Sequence, residues 1–216
     1  MENDIVITNL PEEKIDEAVE VMLTAFENEA LTSMWLDLTD PKLKKAYSKA
    51  IKIIYTVHLA SGDPVYTAIE NEKVVGIAAL STPGSKKSIG KAAALILRNL
   101  PQLLRIIPAA LRAVRGLYRL QKPPGNLPKN HCTLEVFAVD PELQGRGIGS
   151  RLLNHIHHHH LGDASNSGIY LVTGDEKNVQ IYEHFGYEVV EKRISGDITA
   201  YHMFKGNRKN NFGTQL

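Results

Sequence analysis

Three of the five residues from Gly145 to Gly149 are glycine. They separate an alternating, β-branched run (Leu134-Glu135-Val136-Phe137-Ala138-Val139) from an apolar-periodic one containing Leu152, Leu153 and Ile156. A strand that passes through such a turn into a helix leaves the first helical amides without intrachain acceptors, and glycine removes the Cβ atoms that would shield them. The positive end of the helix dipole points to the same place, so a phosphate is the natural occupant. Arg146 and Arg151 add cationic charge. Spacing narrows the choice of phosphate ligand. A P-loop needs a Lys that is absent here, and a dinucleotide fingerprint starting at Gly145 needs glycine where Ser150 stands.

The rest of the chain supplies a frame for that turn. Residues 4–10 read as a strand, Pro11-Glu12-Glu13 opens a helix with acids in its first turn, and Ile15, Ala18, Val19, Met22, Leu23 and Phe26 form one apolar stripe. A second helix runs from Asp40-Pro41 to about Leu59. PVYTAIEN and KVVGIAALST form a hairpin about Asn71-Glu72, although the turn lacks the usual glycine. From His131 onward the pattern is strand, helix (about 147–160), strand, helix (about 177–185) and two strands. Strands alternating with helices imply parallel pairing in the middle, and hairpins at either end imply antiparallel pairing there, giving an α/β protein with a mixed sheet. A length of 216 residues suits one domain, here residues 1–205, with 206–216 as a polar tail.

Charge singles out one segment. Residues 86–122 hold nine of the 25 Lys and Arg and no acid, leaving 16 basic against 24 acidic residues elsewhere, although the whole chain carries only +1. Lys91, Arg98, Arg105, Arg112 and Arg119 stand seven apart among Ala, Leu and Ile, an amphipathic helical pattern. Pro101 and Pro108 break it, with a second helix expected to start at an Asn99 cap. Three readings are open for this helical insertion between the third and fourth main strands. It is a helical hairpin with its apolar face on the domain and its cations in water, a lid over a ligand site, or a contact for a membrane surface or nucleic acid. The single cysteine excludes an intramolecular disulfide framework, and no run of apolar residues is long enough to span a membrane. Together with an opening that lacks a basic end and an apolar core, these features point to the cytoplasm.

Gln144-Gly145-Arg146-Gly147-Ile148-Gly149, after LEVFAVDPEL and before an amphipathic helix, resembles the QxxGxG element of the GNAT superfamily of acyl-CoA-dependent N-acetyltransferases. Asn178-Val179-Gln180-Ile181-Tyr182, leading to Phe185-Gly186-Tyr187, resembles that superfamily's second recurring element. The likeness is firm over about 131–194 and silent on 86–122. It implies a GNAT-like fold with acetyl-CoA as co-substrate. The pyrophosphate would lie on the amides of Gln144, Gly145, Arg146, Gly147, Ile148 and Gly149, with Ser150 at the helix start. The pantetheine would pair like an extra strand with the backbone of Phe137, Ala138 and Val139, beside Asn178 and Tyr182.

Acetyl transfer needs a neutral amine, oxyanion stabilisation and a proton for the departing thiolate. Tyr182 is the candidate acid, sharing a helix face with Asn178 four residues before it. Alternatively Tyr182 is a core aromatic and Asn178 a helix N-terminal residue satisfying the turn. Strand alternation sends His131, Thr133, Glu135 and Phe137 to one face and Cys132, Leu134, Val136 and Ala138 to the other. Glu135 is then the candidate base, its pKa raised by desolvation, or a structural carboxylate. The resemblance also allows a site without a dedicated base, in which water takes the proton. Cys132 and His131 face apart, so Cys132 reads as a buried hydrophobe. The tract His155, His157–His160 ends a helix, where cationic side chains suit the dipole, and no metal site is expected. Trp35, with Phe26, Glu27, Asn28 and Glu29, falls where this superfamily's substrate-binding helices lie.

The expected activity is transfer of an acetyl group from acetyl-CoA to a primary amine of a small molecule or peptide. No nucleic acid partner is expected, and a homodimer is compatible with the sequence. The rival reading is a non-catalytic acyl-CoA-binding regulatory module docking through its basic helices.

Overall fold

In a computed structural model of the chain, residues 5–27, 29–33, 36–85, 88–163 and 165–207 are described, with backbone alone at 30, 110, 112–115 and 117. Asn28, Trp35, Lys86, Lys87 and the tail from 208 lie outside the described residues. The N-terminal alternation forms β1 (Val6–Asn9), and the apolar stripe beyond it α1 (Ile15–Phe26). After a short α2 (Ala30–Ser33), the Asp40 side chain accepts from the amides of Lys42 and Leu43 and starts α3 (Pro41–Ser61). Gly62 ends that helix at a left-handed φ of 75°. The hairpin is β2 (Val65–Glu70) and β3 (Lys73–Ser81). Its turn takes positive φ at both Asn71 (49°) and Glu72 (64°), the two-residue geometry that suits strand twist, without a glycine.

The basic segment forms α4 (Ile89–Arg98), α5 (Leu100–Leu103) and α6 (Ile107–Gln121) between β3 and β4 (Cys132–Val139). The two prolines divide it as expected, each sitting in the first turn of a new helix. Asn99 does not cap α5 with its side chain; its amide donates back to the Leu95 carbonyl and closes α4 instead. Among the described residues, little of the segment's apolar surface is buried on the domain. Neither α4 nor α5 holds a buried residue, and Leu120 of α6 is its fully buried anchor, against Leu31 and Ala200.

The remaining elements are α7 (Ile148–His160), β5 (Gly168–Thr173), α8 (Glu176–His184), β6 (Glu188–Ser195) and β7 (Ile198–Gly206). The seven strands form one mixed sheet in the order β1-β2-β3-β4-β5-β7-β6, antiparallel throughout except for the parallel pair β4–β5. One face is covered by α7 and α8, where Ile148, Leu152, Leu153 and Ile156 pack on β2 to β5. Full burial of such side chains contributes about 1.5–3 kcal/mol each. Gly76 of β3 lets α7 approach, since a Cβ there would stand 3.0 Å from Leu152 and 3.2 Å from Ile148. The other face packs on α1 and α3 through Ala18, Val19, Met22, Ile51 and Tyr55.

Candidate active site

The glycine turn is built as its residue types require. Gly145 (φ 80°) and Gly147 (φ 79°) occupy the left-handed region, and a Cβ at either would meet open space, so the turn's outer side is clear. Gly147 stands at the N-cap of α7 and no side chain caps the helix, leaving its first amides to an outside acceptor. Gln144, Gly145, Arg146, Gly147 and Ser150 are exposed, while the Ile148 side chain is buried in the core beneath them. The Gln144 amide reaches back 3.5 Å to the carbonyl of Val139. Gly149 sits against Phe137 and Val139, whose side-chain atoms come within 3.6–3.7 Å of where its Cβ would be.

Arg146 is not a free cation. Its guanidinium forks onto Glu70 at the end of β2, with contacts of 3.0 and 2.7 Å. Glu70 is buried (6% exposed) and requires that partner. Of the two arginines, Arg151 stays exposed on α7 and Arg146 ties the turn to the sheet.

Strands β4 and β5 are in register only at Cys132–Ile169 and Thr133–Tyr170, and then diverge. Beyond Thr133, no strand among the described residues pairs with the β5-side edge of β4. The gap runs toward the glycine turn along Phe137, Ala138 and Val139.

The expected alternation along β4 holds only in part. Leu134 pairs with Leu80 and Val136 with Ala79, so Glu135 is an extra residue in the strand. This bulge reverses the faces: Cys132 and Leu134 join the α7 core, Val136 and Ala138 the α1–α3 core, and Phe137 and Val139 the α7 side again. Glu135 therefore does not share a face with Phe137. It turns toward α3, where His58 Nε2 lies 3.1 Å from its Oε2 and the Ser81 hydroxyl donates to its Oε1. A third of the Glu135 side chain is open, so it is not the desolvated carboxylate expected. His58 itself is buried, with no partner for Nδ1 among the described residues.

On α8, Asp175 accepts from Lys177 N and caps the helix, so Asn178 is not the capping residue. The Asn178 amide donates to Thr173 Oγ1 at 3.4 Å, which aims it back at the end of β5. One turn later Tyr182 is 8% exposed, edge-on to Phe137 (6.2 Å) and Tyr187 (5.5 Å). Its ring belongs to the core, while its hydroxyl makes no hydrogen bond among the described residues. Burial pushes the phenol above its ordinary pKa and keeps it protonated through the neutral range. The structure brings Phe137, Val139, Gly149 and Tyr182 together at the β4–β5 gap, and sets Glu135 on the opposite face of the sheet.

His131 Nδ1 bonds the Pro128 carbonyl rather than Cys132. Cys132 is buried, contacting His160 (3.8 Å) and Asn166 (3.2 Å), and burial pushes its thiol up to about 11. Three of the histidines on α7 are not dipole-matched cations: burial first, then neighbouring positive groups, lower His155, His157 and His160. No group of His, Cys, Asp and Glu that could hold a metal occurs among the described residues. No helix there is long and apolar enough to cross a membrane.

Sequence reasoning missed Glu70, Ser81 and His58. Each lies at least 54 residues from its partner in sequence, and none carries a local signal.

The family described as acetyltransferase (GNAT) domain matches residues 109–189, which take in β4, the glycine turn, α7, β5 and α8. None of the curated proteins matches the chain in sequence. Among solved structures, one described as histone acetyltransferase HPA2 and related acetyltransferase from Corynebacterium glutamicum superposes with a TM-score of 0.65 at 20% identity, over 94% of this chain and 96% of that one. PaiA N-acetyltransferase from Thermoplasma acidophilum, in complex with coenzyme A, gives 0.57 at 12% identity, over 94% and 99%. YncA from Salmonella typhimurium, with its cofactor acetyl-CoA, gives 0.57 at 14% identity, over 99% of both. Residues 109–189 thus match a GNAT acetyltransferase domain, and the chain as a whole shares the fold of these structures.

Proposed function

We propose that the chain transfers the acetyl group of acetyl-CoA directly to a primary amine, with Tyr182 protonating the departing thiolate. The observation that carries this reading is the gap after Thr133: an unpaired β4 edge leads from the uncapped start of α7 down to Phe137 and Tyr182. The diphosphate would take the amides of Gln144 to Gly149, with Ser150 beside them, and the pantetheine amides would take the backbone of Phe137 to Val139. A glycine turn alone would suit many phosphates, and it is the strand-like opening beside it that fits a long amide-bearing arm. Asn178 would hold the same arm from α8.

Glu135 is the candidate base, acting on an amine that approaches from the α3 side of the sheet while the thioester enters from the gap. Its carboxylate is fixed by Ser81 and His58, and that orientation supports a role in drawing a proton from the attacking ammonium. The insertion contacts α3 through α4 and α5, and β6 and β7 through α6. It therefore flanks both sides of the face that carries Glu135, which supports its serving as one wall of the acceptor site. The acceptor is a small-molecule or peptide amine.

The test is Tyr182→Phe, which deletes an unbonded hydroxyl and keeps the ring. Turnover, followed as free thiol released from acetyl-CoA over a panel of amines, is expected to fall about 10²-fold, as for loss of a general acid, while coenzyme A affinity stays within about threefold. Equal losses in both, or no thiol release with any amine, would favour a binding module instead.

A further inference from the structure

The insertion carries more exposed apolar surface than its own fold can use. Ile89 (77% exposed), Leu97 (72%), Leu111 (68%), Tyr118 (63%), Leu104 (53%) and Ile96 (46%) lie within thirty residues of chain and face solvent. Scattered exposed leucines need no account, but a cluster of this density marks a contact surface.

The arrangement within each helix is as informative as the amount. At 100° per residue, Ile89, Ala93 and Ile96 of α4 fall on one side, and Lys91 and Arg98 on the other. The exposed side is the apolar one, while Leu95 and Arg98 line a cleft of about 280 Å³ against Lys49, Lys52 and Thr56 of α3. In α6, Ile107, Leu111 and Tyr118 form a second exposed stripe, opposite the buried Leu120 that roots the helix. Both helices thus present exposed apolar side chains to solvent among their described residues.

Charge selects the occupant. Residues 86–122 carry nine cations and no acid, and Lys91, Arg98, Arg105 and Arg119 are all exposed. A second copy facing this one across a two-fold axis would set like charges against like. A partner that is anionic and apolar at once meets both features. Helices with a basic side and exposed Ile, Leu and Tyr lie in the interface of a bilayer, apolar residues among the acyl chains and cations at the headgroups. None of these helices is long enough to cross one.

We propose that α4 and α6 dock the protein on an anionic membrane surface, lying on the bilayer without spanning it. The full-length chain is mixed with vesicles of equal parts phosphatidylcholine and phosphatidylglycerol, or of phosphatidylcholine alone, and bound protein is measured by co-flotation. Binding is expected to the anionic vesicles, to weaken several-fold when salt is raised to about 0.5 M, and to fall about tenfold or more in the double variant Leu97→Asp/Leu111→Asp. Arg105→Glu/Arg119→Glu is expected to weaken anionic binding and flatten its salt dependence. All four positions are exposed, and unchanged thermal unfolding shows that each variant is folded. Absence of binding to anionic vesicles, equal binding to both vesicle types, or wild-type binding by the folded leucine variant overturns the proposal. So does concentration-dependent self-association in sedimentation that the leucine variant abolishes, because the apolar face is then covered by a second copy.

Discussion

Replacing Arg146 separates two roles that a cation beside a phosphate-binding turn can have. In the structure Arg146 is committed to Glu70 through two hydrogen bonds, and Glu70 is almost fully buried. Arg146→Ala would leave that carboxylate without its counterion inside the protein. For a fully buried pair such a loss costs about 3–5 kcal/mol. The Arg146 side chain is 44% exposed, so water can reach the vacated position and the expected loss is nearer 2 kcal/mol. In a chain of this size that corresponds to a fall in Tm of roughly 4–8 °C. Urea unfolding and calorimetry read the stability, and titration calorimetry reads coenzyme A affinity. Glu70→Leu added to Arg146→Ala removes the stranded charge and should restore more than half of the lost stability. If Arg146→Ala unfolds like the wild type yet binds coenzyme A an order of magnitude more weakly, the guanidinium serves the diphosphate, and the structural tie is incidental.

Glu135→Gln keeps a group of the same shape between Ser81 and His58 but removes its basicity. Acceptor kcat/KM is expected to drop about 10²-fold near pH 7, with the deficit narrowing toward pH 9 as more amine is already neutral; an unchanged pH 7 value would assign the carboxylate to positioning alone. Stability should fall with acid through the end of α7. Burial holds His157, 3.1 Å from the Tyr187 hydroxyl, at about 4. Near pH 7 it is neutral in both folded and unfolded chains. Below about 6.5 the unfolded chain takes up the proton first, so stability declines between about 6.5 and 4, by on the order of 1 kcal/mol after allowance for partial exposure. His157→Asn should flatten that part of the Tm-against-pH curve, and an unaltered slope would refute the assignment.

The glycine-turn half of the candidate site was legible because its signals are local. Gly145 and Gly147 announce positive φ, the helix behind them supplies free amides, and Asn178 and Tyr182 stand one turn apart on a short helix. The basic insertion was equally visible in charge and spacing. The sequence did not show which of its apolar side chains stay exposed, because that depends on contacts with α3, β6 and β7, which are remote in the chain. The proposed acceptor side, around Glu135, was hidden for a different reason. Residues 132–139 alternate as an unbroken strand would, and the extra residue at Glu135 comes from pairing with Ala79 and Leu80, some fifty residues earlier. Nor does anything near Glu135 in sequence point to His58, 77 positions away on a helix whose other residues read as ordinary amphipathic filler.

That extra residue shifts the alternation of β4, so its even-numbered side chains face the α7 core before position 135 and the α1–α3 core after it. Leu134 and Val136 already oppose neighbouring residues of β3, so deleting Glu135 would close a regular ladder with Cys132, Leu134, Phe137 and Val139 on their present side of the sheet. The strand would lose only the carboxylate held by Ser81 and His58. The irregularity serves that one side chain and not the packing around it.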